Sequence, residues 1–283
     1  MPGTSGTPKA RALGARLREA RKAAGFTVRA LAEELDISHS AISRWETGAR
    51  SPKPEDVASI LAATRVNGQE RAELLELARS SSDPHWLSVR SGDRERQMAA
   101  LLDFERRASH ITDVSPLLIP GLLQTADYAR AIMVTGGVPA HEVETRVLVR
   151  VGRREVLTRR NPAQLLALVG ENAIRQQIGD RQVTLDQLQH LLDFAERPNI
   201  DIRIIPCATG WHPALEGPFF LIDFADERPI VHLENRRAAL FFHEEDDVEA
   251  YRNAVDSVLR VAMDPEESAE FIAGVVREVE ADR

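Results

Sequence analysis

The stretch Gly25–Gly48 reads GFTVRALAEELDISHSAISRWETG, and its spacing predicts two short helices joined by a tight turn. Thr27 stands as the N-cap of the first helix, in which Val28, Leu31, Ala32 and Leu35 repeat at helical intervals while Glu33 and Glu34 face water. Asp36-Ile37-Ser38 breaks that helix. Ser38 caps the next one, whose buried stripe is Ala41, Ile42 and Trp45, and Gly48 ends it in a conformation few other residues tolerate. Ala32 supplies the small residue that two helices need where they cross near a right angle. His39, Ser40, Ser43 and Arg44 remain on the outer face of the second helix. Short or forked hydrogen-bonding side chains of this kind read base edges in a major groove. The alternative, a helical hairpin that only packs, leaves unexplained why cap, turn, small residue and polar outer face occur together.

These residues resemble the helix-turn-helix of phage repressors and of the Xre family of bacterial regulators. The match runs from about Lys9 to Arg79, and the run Ile37-Ser38-x-Ser40-x-Ile42-Ser43-Arg44-Trp45-Glu46-x-Gly48 carries most of its specificity. The resemblance implies that Ser38, His39, Ser40 and Arg44 lie at base edges or groove edges, with Thr27 and Arg29 near the DNA backbone. It also implies an ion pair between Arg21 and Glu46 that joins the first helix to the third. Val28 departs from the pattern, since it stands where phage repressors often carry a polar, phosphate-contacting residue.

Charge is divided along the chain. The net value of −8 separates into ten basic against five acidic residues over 1–53, and 26 against 39 in the remainder. Such asymmetry is expected when one domain meets phosphates and the other meets something else. Only Lys9, Lys22 and Lys53 are lysines, so arginine supplies nearly all the positive charge, which fits a high-GC source. The start MPGTSGTPKA has no apolar core that would mark a secretory signal, and no apolar run reaches membrane-spanning length. A lone Cys207 makes no internal disulfide. The expectation is a cytoplasmic, nucleoid-associated protein.

At 283 residues the chain suits two domains. Residues 1–8 read as a disordered tail and 9–80 as an all-α, five-helix, repressor-like DNA-binding domain. Within it Ser51-Pro52-Lys53-Pro54 forms a stiff turn after the recognition helix, where Arg50 and Lys53 can clamp phosphates. Residues 81–93, beginning Ser81-Ser82-Asp83-Pro84, read as a linker. Residues 94–283 read as an α+β domain with a largely antiparallel sheet. Its expected strands are 164–169, 200–205, 219–224, 230–233 and 239–242. Its expected helices include 94–109, 141–159, one opened by a capping box at Thr184-Leu185-Asp186-Gln187, 246–263 and 265–280.

A second resemblance lies in Leu118-Ile119-Pro120-Gly121-Leu122-Leu123-Gln124-Thr125-x-x-Tyr128-Ala129-Arg130. It is similar to the signature of a large actinobacterial family of Xre regulators that includes the WhiJ-type developmental regulators. Glu105, Arg150, Arg153, Glu171, Pro206 and Phe219 fall at matching spacings, so the likeness spans nearly the whole chain. It implies a transcriptional regulator with a C-terminal sensory or interaction domain, whose relatives often sit beside genes for small acidic partner proteins.

Within that domain Gln124 and Tyr128, with Thr125, are the candidates for contacting a ligand or partner, because polar tips on an apolar segment need something to satisfy them. Leu122 and Leu123 read either as part of a binding surface or as an internal brace. Arg146, Arg150, Arg153 and Arg154 fall along one helix face, either solvated among the domain's acids or forming a docking strip for an acidic partner or anionic ligand. Trp211, in a loop, reads as an interface residue or a core plug. His212, His232, His243 and Cys207 lack zinc-ligand spacing, so no metal or cofactor is expected. Gly-x-Ser-x-Gly and Gly-rich phosphate loops are absent, and Glu244-Glu245-Asp246-Asp247 is explained by the positive end of a following helix. An enzyme is not expected. The function implied is a homodimeric DNA-binding regulator responding to a small-molecule effector or a small acidic partner, without membrane contact. The alternative is an antitoxin-like protein that sequesters such a partner and autoregulates its own operon.

Overall fold

The computed structural model describes residues 6–81, 86–88, 91–235 and 239–281. Of the tail read at 1–8, residues 1–5 lie outside the described residues, whereas Thr7 caps and Pro8 begins the first helix. Of the linker read at 81–93, residues 82–85 and 89–90 lie outside them, whereas 86–88 form a strand and a helix begins at Ser91. In chain order the helices α1 (Pro8–Ala23), α2 (Val28–Glu34), α3 (His39–Glu46), α4 (Pro54–Ala63) and α5 (Gly68–Arg79) come first. β1 (Trp86–Ser88), α6 (Ser91–Arg107), β2 (His110–Ser115), α7 (Ala126–Thr135), α8 (Ala140–Gly152) and α9 (Glu155–Thr158) follow. Then come β3 (Gln164–Gly170), α10 (Glu171–Arg175), α11 (Arg181–Ala195), β4 (Ile200–Ile205), β5 (Phe219–Asp223), β6 (Ile230–Glu234) and β7 (Ala239–Phe242). α12 (Glu245–Leu259) and α13 (Pro265–Ala281) close the series.

Two compact units divide the chain, one of residues 1–103 with 235–247, the other of 104–234 with 248–283. In the first, three hydroxyl caps set the helix starts: Thr7 accepts from Ala10 N at 3.1 Å, Thr27 from Ala30 N at 3.1 Å, and Ser38 from Ala41 N at 3.2 Å. Leu13, Leu17, Leu31, Ile42, Trp45, Val57, Leu61 and Leu74 are buried and form its core. α1 and α3 meet backbone to backbone, because a Cβ on Gly14 would lie 2.2 Å from the Trp45 carbonyl oxygen. The sequence reading did not single out Gly14, although a glycine inside an apolar helical pattern is the signal for close packing. β1 pairs antiparallel with β7 in this unit.

The second unit carries strands in the order β6-β5-β2-β3-β4. β2 runs parallel to β3 and β3 parallel to β4, while β2 to β5 and β5 to β6 are antiparallel. The fold is α+β with a mixed sheet, and over the whole chain antiparallel pairings outnumber parallel ones among the described residues. The parallel part follows from the helical crossovers on either side of β3, which return each strand in the same direction. β3, reading QLLALVG, is nearly all apolar because it is covered on both faces. On one face Val114, Leu168 and Phe219 pack with Val255 and Val258 of α12. β2 escaped the sequence reading because Thr112 and Asp113 interrupt its short apolar run.

Several boundaries differ from those expected; α12, for one, ends at Leu259 and not at 263. α11 starts at Arg181, with Asp180 accepting from Val183 N at 2.9 Å, and not at Thr184, whose buried hydroxyl donates to the Asp180 carbonyl at 3.2 Å. The helix read over 141–159 is broken after Gly152 into α8 and α9. No helix among the described residues is long and apolar enough to cross a membrane.

Gly14→Ala tests the α1–α3 contact. Alanine adds helix propensity of up to ~1 kcal/mol, yet its methyl must displace the Trp45 carbonyl, so overpacking wins and the net loss is about 1–3 kcal/mol. Chemical denaturation of the variant measures this; equal or higher stability would refute the close crossing.

Candidate nucleic-acid interface

The turn between α2 and α3 is made by Asp36, which adopts φ 51°, a left-handed conformation that aspartate tolerates better than most side chains. At the other end Gly48 takes φ 69°, and a Cβ there would lie 2.5 Å from Arg11 Cα. The end of α3 is thus pressed onto α1. Between these points Ile42, Trp45 and Glu46 turn inward, and Ser38, His39, Ser40, Ser43 and Arg44 all face solvent. Ser38 Oγ and Ser40 Oγ lie 3.2 Å apart, and Arg44 Nε donates to the Ser40 carbonyl at 3.2 Å. The outer face therefore carries a forked cation, an imidazole and several hydroxyls with no apolar side chain among them.

Thr27 and Arg29 are exposed at the start of α2, and Arg50 and Lys53 are exposed in the turn after α3. That turn is anchored at both sides, since Arg50 N donates to the Arg44 carbonyl at 3.2 Å and Lys53 N to Asp56 Oδ2 at 3.2 Å. Cations held by their backbones beside a recognition surface suit phosphate contacts.

Behind the face, Arg21 of α1 and Glu46 of α3 form a two-pronged pair, Nε to Oε1 at 2.6 Å and Nη2 to Oε2 at 2.8 Å. Both are buried, with 7% and 6% exposure. The remaining Arg21 nitrogen Nη1 donates to the Phe26 carbonyl at 2.8 Å, and the bond to Glu46 raises the guanidinium pKa above its ordinary value. Arg18, which the sequence reading passed over, donates to the Glu46 carbonyl at 3.0 Å. Two arginines of α1 thus hold the last turn of α3.

The candidate residues of the second unit are placed differently from expectation. Gln124 and Tyr128 are buried at 3% and 2% exposure, and their polar tips are satisfied within the fold. Gln124 Nε2 donates to the Ile119 carbonyl at 2.8 Å and its Oε1 accepts from Arg150 Nη1 at 3.3 Å, while Tyr128 OH accepts from Ile119 N at 3.5 Å. The premise that these two need a ligand or partner therefore fails. Thr125 caps α7, accepting from Tyr128 N at 3.3 Å, and its own N–H donates to Gln187 Oε1 at 2.7 Å. Buried Gln187 also donates to the Leu123 carbonyl at 2.8 Å, so it clamps the 119–125 turn across a long sequence separation that no local pattern reveals. Leu122 and Leu123 are fully buried, which makes them a brace.

The arginine strip is divided: Arg146 stays exposed on the surface, while Arg153 and Arg154 are bonded inward. Arg146 pairs with Glu142 at 2.6 Å, Arg154 donates to the Gln124 carbonyl at 2.6 Å, and Arg153 forms a buried two-pronged pair with Glu105 at 2.8 and 2.5 Å. An open docking strip is excluded at Arg153. Glu171, another residue of the second resemblance, accepts from Cys207 N at 3.0 Å and pairs with Arg175 at 2.8 Å. Trp211 is open, 72% exposed, with Leu215 four residues further on at 61%. The core-plug reading of Trp211 does not hold.

Asp113 is the polar residue that sequence reasoning missed. It is wholly buried on β2, its Oδ1 accepts from Ser115 Oγ at 2.6 Å, and its Oδ2 has no hydrogen-bond partner. Burial pushes its pKa up to about 7, opposed by the Ser115 hydrogen bond and by the nearby Arg153 charge, with Glu105 adding to the rise. His232 on β6 is buried too, and burial together with Arg153 lowers its pKa to about 3.

A family model described as Domain of unknown function (DUF5753) matches residues 98–274, and a second, described as a helix-turn-helix domain, matches residues 12–74. No curated protein matches the chain.

Asp113 makes stability fall as pH rises. Its folded pKa lies above the unfolded value, so folding retains a proton that the unfolded chain releases between about pH 4 and 7. Asp113→Asn abolishes that dependence. Its melting temperature relative to the parent should climb from pH 5 to pH 8, reflecting a few kcal/mol at the upper end; a difference that stays constant with pH would contradict this.

Proposed function

The chain belongs to the family described as Domain of unknown function (DUF5753), here carried behind a helix-turn-helix domain, and from that premise we propose a homodimeric, sequence-specific transcriptional regulator whose second unit receives the signal. The observation that carries this reading is the wholly polar, solvent-facing side of α3, set between anchored cations and held from behind by buried charge. In this role Arg44, His39, Ser38, Ser40 and Ser43 meet base edges, and Thr27, Arg29, Arg50 and Lys53 meet phosphates. One such module spans a short half-site, so two copies on a pseudo-palindromic operator supply useful affinity. The protein acts in the cytoplasm on double-stranded DNA and performs no catalysis. The likeness to actinobacterial WhiJ-type regulators supports this reading, with a small-molecule effector or a small acidic protein as the signal.

A second reading, an antitoxin-like protein that sequesters a partner and uses DNA binding for autoregulation, is favoured by Trp211 and Leu215. Large apolar side chains left in water on one loop suit a protein interface. Affinity capture with the intact protein and with Trp211→Ser tests for the bound partner that sequestration requires. A stoichiometric small protein retained by the first and lost by the second supports sequestration.

Arg44→Ala should abolish discrimination between the preferred duplex and a scrambled one, because a two-pronged arginine–guanine pair contributes roughly 1–3 kcal/mol. Arg50→Ala or Lys53→Ala should instead weaken binding to every sequence alike and flatten the salt dependence by about one phosphate contact each. Fluorescence anisotropy over a salt series measures both. Wild-type affinity and selectivity in Arg44→Ala would remove α3 as the reading element.

A further inference from the structure

Ser81, just beyond α5, is 2% exposed and its hydroxyl donates to the Ala78 carbonyl at 2.9 Å. Its carbonyl oxygen accepts two side-chain hydroxyls from far apart in sequence. One is Thr7 Oγ1, from the residue that also caps α1; the other is Ser51 Oγ, at 3.3 Å. Ser51 sits between the two exposed cations of the turn after α3, Arg50 and Lys53. The backbone on either side is fixed by the Arg50 N bond to Arg44 and the Lys53 N bond to Asp56, and Pro52 is buried. The Ser51 hydroxyl is therefore the central anchor of a three-point mounting, and it ties the turn to a carbonyl beyond the last helix of the bundle rather than to α3 itself. The chain before α1 is brought to the same place, since a Cβ on Gly6 would lie 1.7 Å from the Gly48 carbonyl oxygen.

We propose that Ser51 is a positioning residue for DNA binding, holding Arg50 and Lys53 in phosphate-contacting register through its hydrogen bond to the Ser81 carbonyl just beyond α5. This rests on the DNA-binding reading above and adds a residue that touches no base. Phosphate contacts depend on where the cation's backbone stands. Freeing the middle of the turn therefore spreads Arg50 and Lys53 over several placements and weakens contact with any duplex, while the outer face of α3 stays as it was.

The test uses the full chain with two probes: a duplex enriched by the wild-type protein from a random-sequence library, and a scrambled duplex of equal length and composition. Ser51→Ala should bind both about three- to tenfold more weakly, keep the ratio between them, and show a salt dependence shallower by about one contact. Ser51→Thr, which retains the hydroxyl, should restore affinity and slope. Wild-type affinity and slope in Ser51→Ala would overturn the proposal, as would loss of the ratio, or a Ser51→Thr protein that is folded by circular dichroism yet no better than Ser51→Ala. Arg44→Ala run in parallel keeps the two levels apart: if it too leaves the ratio intact, the DNA-reading assignment of α3 fails, whatever Ser51 does.

Discussion

A buried guanidinium and a buried carboxylate determine where α3 can lie. Arg21 and Glu46 sit on helices separated by α2, and each would be costly to bury alone, because an unpaired charge in a low-dielectric interior loses several kcal/mol of hydration. Together they satisfy each other through two short hydrogen bonds, and the spare Arg21 nitrogen is taken up by Phe26. Only one placement of α3 on α1 closes all of these bonds, and in that placement Gly14 passes directly against Trp45. The polar outer face of α3 is then presented to solvent as a consequence. Hydrophobic burial gives the bundle its stability, and the pair fixes its geometry.

The second unit uses charge in a different way. Glu105 and Arg153 join α6 to the chain just after α8 beside the buried face of the sheet, and Asp113 lies close enough for both charges to act on it. The arginines and the polar residues of the 119–128 segment mostly bond one another or the backbone, so the segment works as internal bracing. The large apolar side chains that this unit leaves to solvent include Trp211 and Leu215, and also Leu117, Val134 and Leu148.

The N-terminal helices were legible because their signals are local. Thr27 and Ser38 cap where a hydroxyl precedes an apolar stripe, Asp36 and Gly48 take left-handed conformations, and the outward positions of α3 follow from helical period alone. The outward placement of Ser38, His39, Ser40, Ser43 and Arg44 needed nothing from elsewhere in the chain. In the second unit the reverse holds. Gln124 and Tyr128 looked like ligand contacts because sequence shows a polar tip without showing its partner, and those partners, Ile119 and Arg150, are found only in the folded chain. Gln187 and Asp113 gave no warning for the same reason. β2 was hidden by Thr112 and Asp113, polar residues inside a buried strand. The apolar strands 164–170, 200–205 and 219–223 were readable, but their parallel and antiparallel pairing depends on crossovers.

The most direct measurement is a double-mutant cycle on the pair that sets α3. Unfolding free energies would be compared for the parent, Arg21→Met, Glu46→Met and the double variant. The expected result is strong coupling: each single variant loses about 3–5 kcal/mol because it strands a buried charge, and the double variant loses much less than the sum of the two. Simple additivity, with the double variant destabilised by the sum, would contradict the claim that this pair places the recognition helix.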